Sequence, residues 1–92
     1  MITTDEIIAA SAAHFGLESA DITGTSRSST RNRARAVAMY LARELTPLSY
    51  PELAAAFQRN SHAAPFMAHR RVKAHWKDYR GAVAAVKIAL NC

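Results

Sequence analysis

Residues Ser49 to Arg71 read S-Y-P-E-L-A-A-A-F-Q-R-N-S-H-A-A-P-F-M-A-H-R-R, and the fold turns on how this stretch is parsed. Ser49 with Glu52 three residues on forms a capping box, in which hydroxyl and carboxylate each satisfy an orphan N–H at a helix start. Pro51 fits the first turn, where its missing N–H costs little. Leu53, Ala54 and Phe57 then share one face. The polar run Gln58 to Ser61 breaks that pattern, and Asn60 or Ser61 can cap a second helix. Two geometries satisfy these features. One is a helix-turn-helix, whose second helix enters a DNA major groove. The other is an ordinary helical hairpin in a small bundle. The stretch alone does not choose between them.

Working outward, the composition narrows the class. Ninety-two residues, half of them hydrophobic, are expected to form one domain with a modest core. Abundant alanine and the lack of alternating β-branched runs point to an all-α fold. No apolar run approaches the roughly 18 residues of a membrane span. The start, M-I-T-T-D-E-I-I, lacks the basic region of a signal peptide. The one cysteine, Cys92, excludes an internal disulfide. A reducing cytoplasmic setting is expected.

Charge is distributed unevenly. Residues 1–26 hold four acids and no Lys or Arg, whereas 27–43 hold Arg27, Arg31, Arg33, Arg35 and Arg43. A second basic group follows in Arg59, Arg70, Arg71, Lys73, Lys77 and Arg80. Arg outnumbers Lys nine to three, which favours forked contacts with phosphates or base edges. Two basic clusters, one before and one within the candidate helix-turn-helix, suggest a polyanion partner. A solvated basic surface is the alternative.

Before the central stretch, Thr3 with Glu6 opens a helix over roughly 4–15, and Gly16 ends it in a left-handed position. A connection over 16–30 follows, with Leu17 and Ile22 plugged into the core and Ser19 capping a short turn. Its G-T-S-R-S-S-T segment at 24–30 suits either an arm along a phosphate backbone or a plain solvent loop. A helix from about 32 to 46 carries Val37, Tyr40, Leu41 and Leu45 on one face, and Pro47 stops it. After the turn at 58–61, Phe66, Val72, Trp76, Tyr79, Val83, Val86 and Leu90 repeat near heptad spacing. This seam reads as core packing or as a self-association face. Gly81 is placed to break it into helices near 62–79 and 82–91.

No enzyme chemistry is evident. His62 and His69 share a helical face but lack the further ligands a metal needs. There is no Gly-rich phosphate loop and no placed carboxylate pair, and Cys92 stands at the chain end. No catalytic residue, metal or cofactor is expected.

The sequence resembles the C-terminal DNA-binding domain of the bacterial replication initiator DnaA, a Trp-repressor-like helix-turn-helix. R-A-R-A-V-A-M-Y-L-A-R-E-L-T at 33–46 is similar to the family's basic helix. S-Y-P-E-L-A-A-A-F at 49–57 is similar to its S-L-P-E-I-G-x-x-F. M-A-H-R-R-V at 67–72 resembles the tail of its recognition helix, and F-G-L-E-S-A-D-I at 15–22 resembles the run that opens the domain. The likeness runs without a gap over roughly 5–72. It implies an all-α bundle over 1–92, with a basic loop at 24–32, a helix-turn-helix at about 49–72 and a C-terminal helix at about 80–91. It also implies roles. Arg27 falls on the minor-groove arginine of the basic loop, Arg35 and Arg43 on phosphate-gripping positions, Tyr50 and Pro51 on DNA-touching positions opening the first helix, and His62 on the histidine of the recognition tip. With Arg33, Arg59, Arg70 and Arg71 from the basic clusters and Asn60, Ser61, Ala63 and Ala64 from the tip, these form the expected DNA-binding set.

At the tip the likeness fails. The family signature G-G-R-D-H-T-T-V aligns with Q-R-N-S-H-A-A-P, and only His62 survives. Asn60 and Ser61 stand for the arginine and aspartate, Ala63 and Ala64 for the threonines, and Pro65 for the valine; Ser29 replaces a basic-loop arginine. A carboxylate that accepts from a cytosine amine is thereby lost, and each such base contact carries about 1–3 kcal/mol of discrimination. A consensus DnaA box is not the expected target. Asn60 can pair with adenine, and Ala63 or Ala64 can meet a thymine methyl. The 92 residues contain no nucleotide-driven motor. The resemblance therefore implies a stand-alone regulator on double-stranded DNA, an activator of a phage-like or gene-transfer-agent cluster. Such a small module is expected to need a second copy, a tandem site or a protein of the transcription machinery. The rival expectation is a replication-control or protein-interaction module without specific DNA readout.

Overall fold

The computed structural model describes residues 1–25 and 28–91. Six helices follow one another: α1 (Thr4–His14), α2 (Ser19–Thr23), α3 (Ser29–Leu45), α4 (Tyr50–Ala56), α5 (Ala63–Ala74) and α6 (Trp76–Ala89). No strand occurs among the described residues.

Local chemistry sets the helix ends. The capping box of α1 is made, with the Glu6 N–H on Thr3 Oγ1 at 3.2 Å and the Thr3 N–H on Glu6 Oε1 at 3.2 Å. Gly16 takes the left-handed conformation, φ 69°. The Leu17 N–H reaches back to Ala12 O at 2.8 Å and that of Gly16 to Ala13 O at 3.1 Å, which together close a Schellman motif. The Ser49–Glu52 box opens α4 as expected.

The end of α4 repeats the Schellman pattern without glycine. The Arg59 N–H bonds Ala54 O at 2.8 Å and the Gln58 N–H bonds Ala55 O at 3.0 Å, while Gln58 sits at φ 58°. A residue with a Cβ pays about 1–2 kcal/mol for that conformation. Phe57, fully buried beneath the turn, pins it to the core.

α3 is the hub and packs against every other helix. The expected apolar face is present in Val37 and Leu41, with Tyr40 and Leu45 partly buried. Ala34, Ala36, Ala38, Met39 and Ala42 are also buried, so α3 is covered on most sides. Its small side chains let neighbouring helices approach closely. The helix also begins earlier than the expected 32, because Ser28 Oγ accepts the Arg31 N–H at 3.2 Å and caps it. Arg31 is therefore helical, and the connection before α3 is shorter than the expected 24–32 loop.

The C-terminal half differs from expectation in where it breaks. Gly81 lies inside a continuous α6; the break falls at His75, φ −116° and ψ 41°. An exposed glycine costs a helix only about 1 kcal/mol, too little to end one that buries Tyr79, Val83 and Val86. The bend at His75 lets α5 lie on α3 and α4 while α6 lies on α1 and α3. The seam is mostly core, but Phe66 and Trp76 are not in it, being 40% and 43% exposed.

Pro65 is the third residue of α5 and is buried. Its missing N–H is one that a helix start leaves unpaired anyway. It therefore starts the recognition helix without shortening it. The N-cap of α5 is His62, not the expected Asn60 or Ser61, and its side chain makes no capping bond; Ser61 Oγ, one residue earlier, accepts the Ala63 N–H at 3.1 Å.

Candidate nucleic-acid interface

α4 and α5, joined by the turn at 57–62, are the two helices of the expected motif. Asn60, Ser61, His62 and Ala63 are exposed at its tip, and Ala64 is half-buried. Arg70 and Arg71 follow on α5, both exposed. Arg71 makes no side-chain hydrogen bond or ion pair among the described residues. Tyr50 and Pro51 occupy the first turn of α4, as expected.

Aromatic packing links the two helices of the motif. The Tyr50 and Phe66 rings meet edge-on, centroids 5.4 Å apart at 81°. The Arg43 guanidinium lies over Tyr50 at 4.5 Å and that of Arg70 over Phe66 at 5.8 Å. Arg43 also donates to Leu48 O at 3.1 Å, which fixes it beside the start of α4. The exposed end of the motif thus carries cations on an aromatic pair.

Other expected contact residues face inward. Arg35 donates from Nε to Ile22 O at 2.7 Å, from Nη1 to Asn32 Oδ1 at 2.9 Å, and from Nη2 to Asp21 O and Gly24 O at 3.1 Å each. Arg59 donates from Nη2 to the same two carbonyls, Gly24 O at 2.7 Å and Ile22 O at 3.3 Å. These carbonyls end the five-residue α2, where a helix leaves acceptors unpaired and a partial negative charge. Partial burial holds the Arg35 pKa below the usual arginine value, and repulsion from Arg59 and then Arg31 adds to it. Arg35 was expected to grip phosphate; in the fold it clamps the connection to α3, and Arg59 clamps the turn of the motif to the same point. Arg33 is likewise committed, donating from Nη2 to Asp78 O and lying 4.6 Å over the Tyr79 ring on α6. Arg27 lies outside the described residues.

The α2–α3 connection, the first half of α3 and one flank of α5 enclose an open cleft of about 740 Å³. Asn32, Arg35 and Arg59 line one wall, and Met67, Arg70, Arg71 and His75 the other. On the opposite flank of α5, His69 stacks on Tyr40 with centroids 4.9 Å apart, and its Nε2 lies 2.8 Å from Glu44 Oε2. His69 is thus used in packing and does not join His62. Among the described residues, no three His, Cys, Asp or Glu side chains gather to hold a metal ion. No helix among them is long and apolar enough to cross a membrane.

Phe66 and Met67 were not among the expected site residues. Both are exposed on α5, Met67 at 57%. Phe66 was expected in the core seam, and Met67 lies four residues from Ala63, one turn along the same outward stripe.

Comparison with known proteins agrees with this geometry. Residues 4–72 match the family described as the bacterial DnaA protein helix-turn-helix. The chromosomal replication initiator protein DnaA of Cutibacterium acnes is 42% identical over 79 residues, 86% of this chain and 16% of that protein. DnaA of Sphingopyxis alaskensis is 40% identical over 93 residues, 98% of this chain and 20% of that protein. DnaA of Corynebacterium jeikeium is 39% identical over 72 residues, 78% of this chain and 12% of that protein. The chain thus spans a fifth or less of these relatives' length. With the helix-turn-helix, the capped α4 and the basic α3 all in place, the chain belongs to the DnaA family and carries the fold of its C-terminal DNA-binding helix-turn-helix domain.

Proposed function

We propose that this protein is a sequence-specific regulator of transcription that binds double-stranded DNA through α4 and α5. The observation carrying this reading is the tip of the motif. It keeps the scaffold of the family, with Ser49–Glu52 capping α4. Yet the side chains it exposes, Asn60, Ser61, His62 and Ala63, match the family signature only at His62. A preserved frame with a changed reading surface fits a different target site. Phosphate contacts from Arg70, Arg71 and Arg43 position the domain, and the tip reads bases in the major groove. The cationic wall of the cleft draws the adjacent backbone strand. Activation of a gene cluster of phage-like type, with a second copy or a protein of the transcription machinery alongside, completes the proposal; no catalytic step or cofactor is part of it.

A second reading is favoured by the relatives, which are replication initiators over nearly all of this chain. In it the protein acts at a replication origin or on another replication factor. A genome-wide occupancy map of the tagged protein separates the two. Discrete peaks at promoters support the regulator. Peaks confined to an origin support the second reading, and a flat map removes sequence-specific binding altogether.

A further inference from the structure

The outward face of α5 is apolar where a DNA-reading helix ordinarily carries hydrogen-bonding groups. Ala63 is exposed, Met67 is 57% exposed and Phe66 is 40% exposed. Residues 59–77 contain no acid. Cations border the face: Arg70 one turn on, Arg71 beside it, and Arg43 over Tyr50 at the Phe66 edge. An apolar stripe inside a cationic border complements a polyanion that offers apolar groups between its phosphates. Double-stranded DNA does so in the major groove, through the C5-methyl of thymine.

We infer that α5 reads thymine methyl groups, with Met67 a specificity-determining residue and Ala63 its partner one turn earlier. This rests on the DNA-binding reading above and names the target chemistry. Four helical residues advance about 6 Å, close to two base steps of about 3.4 Å each on one strand. Ala63 and Met67 therefore address two methyls roughly two steps apart. Neither side chain can donate or accept a strong hydrogen bond, so the pair discriminates by apolar contact and exclusion of water. Removal of one buried methyl lowers affinity by about fourfold on the ordinary scale of apolar burial.

The test begins with selection of binding sites from random duplexes by the 92-residue chain. Thymines in the selected site are then replaced one at a time by deoxyuridine, which removes the methyl and keeps the Watson–Crick edge. The wild-type chain is expected to lose about fourfold in affinity at each of two positions roughly two steps apart. Met67→Ala should abolish the loss at one of them, and Met67→Leu should keep it; because Met67 is exposed, circular dichroism should show both variants folded. Equal binding of thymine and uracil duplexes, with the selected site still preferred over random DNA, overturns the methyl reading and leaves the regulator standing; it would be the result if this face docked a protein instead. A uracil penalty undiminished in Met67→Ala overturns the role of Met67. A selection with no enriched sequence overturns the regulator and this inference together.

Discussion

Arg35 and Arg71 line the same cleft, yet they do opposite things. Arg35 spends its guanidinium on the carbonyls of Asp21, Ile22 and Gly24 and on Asn32, and Arg59 joins it there. Arg71 is exposed on α5. A basic cluster in a sequence is thus two populations in the fold. One population neutralises the end of a short helix and holds the connection to the motif. The other remains available to a polyanion. Net charge cannot separate them, because each guanidinium is identical until its acceptors are known. The difference also shows how the tip can diverge while the motif stays in place: Arg59 anchors the turn from behind, so the outward residues are free to change.

The largest effect expected from breaking this comparison is on Arg35. Arg35→Ala removes four charge-assisted hydrogen bonds, and loss of such a set costs about 2–4 kcal/mol of stability. Thermal denaturation should show a fall in Tm of ten degrees or more, on the order expected for a domain this small. Unchanged Tm with weakened DNA binding would return Arg35 to the outward population. Next is Arg71→Ala, which should leave Tm alone and weaken binding to every duplex several-fold, with the salt dependence reduced by about one unit of slope. Fluorescence anisotropy across a salt series reads both quantities.

Smaller effects test the frame itself. Gln58→Gly relieves a left-handed backbone at the turn and should stabilise the chain by about 0.5–1 kcal/mol in denaturant unfolding, without altering site preference. Last is the acid limb of stability. The Glu18 backbone N–H, and then Arg31 at 2.9 Å, hold the Asp21 carboxyl below its ordinary value. A depressed folded-state value means a contribution present above the unfolded pKa and lost as pH falls through the folded one. Because the Asp21–Arg31 pair is only partly buried, the effect is small. Acid titration followed by circular dichroism should show Asp21→Asn with a shallower loss of stability at low pH than wild type.

Much of the frame was legible before the fold was known. Thr3–Glu6, Ser49–Glu52 and Gly16 each carry their chemistry locally, and each ends a helix where it should. What escaped depends on distant partners. Arg35 and Arg59 meet α2 only once α3 and the turn are packed, across separations of 13 and 37 residues. The bend at His75 arises because α5 and α6 bury against different helices, whereas Gly81 carried the stronger local signal. Phe66 read as core from its place in the seam, and only the packing of α5 shows it and Met67 to be exposed. Ser28 stood among several hydroxyl residues, any of which could have opened α3. For the candidate site, position along the chain was readable, but which arginines point at a ligand was not.

The central claim is that DNA meets the face formed by α4, α5 and their turn, with Arg43 at its edge. Titrating a selected duplex into isotope-labelled protein and following backbone amide shifts by NMR tests it directly. The account predicts shifts concentrated at Tyr50–Pro51 neighbours and across Arg59–Arg71, with α1 and the second half of α6 unmoved. Shifts centred on α6, or none at a duplex concentration that saturates binding, would contradict it.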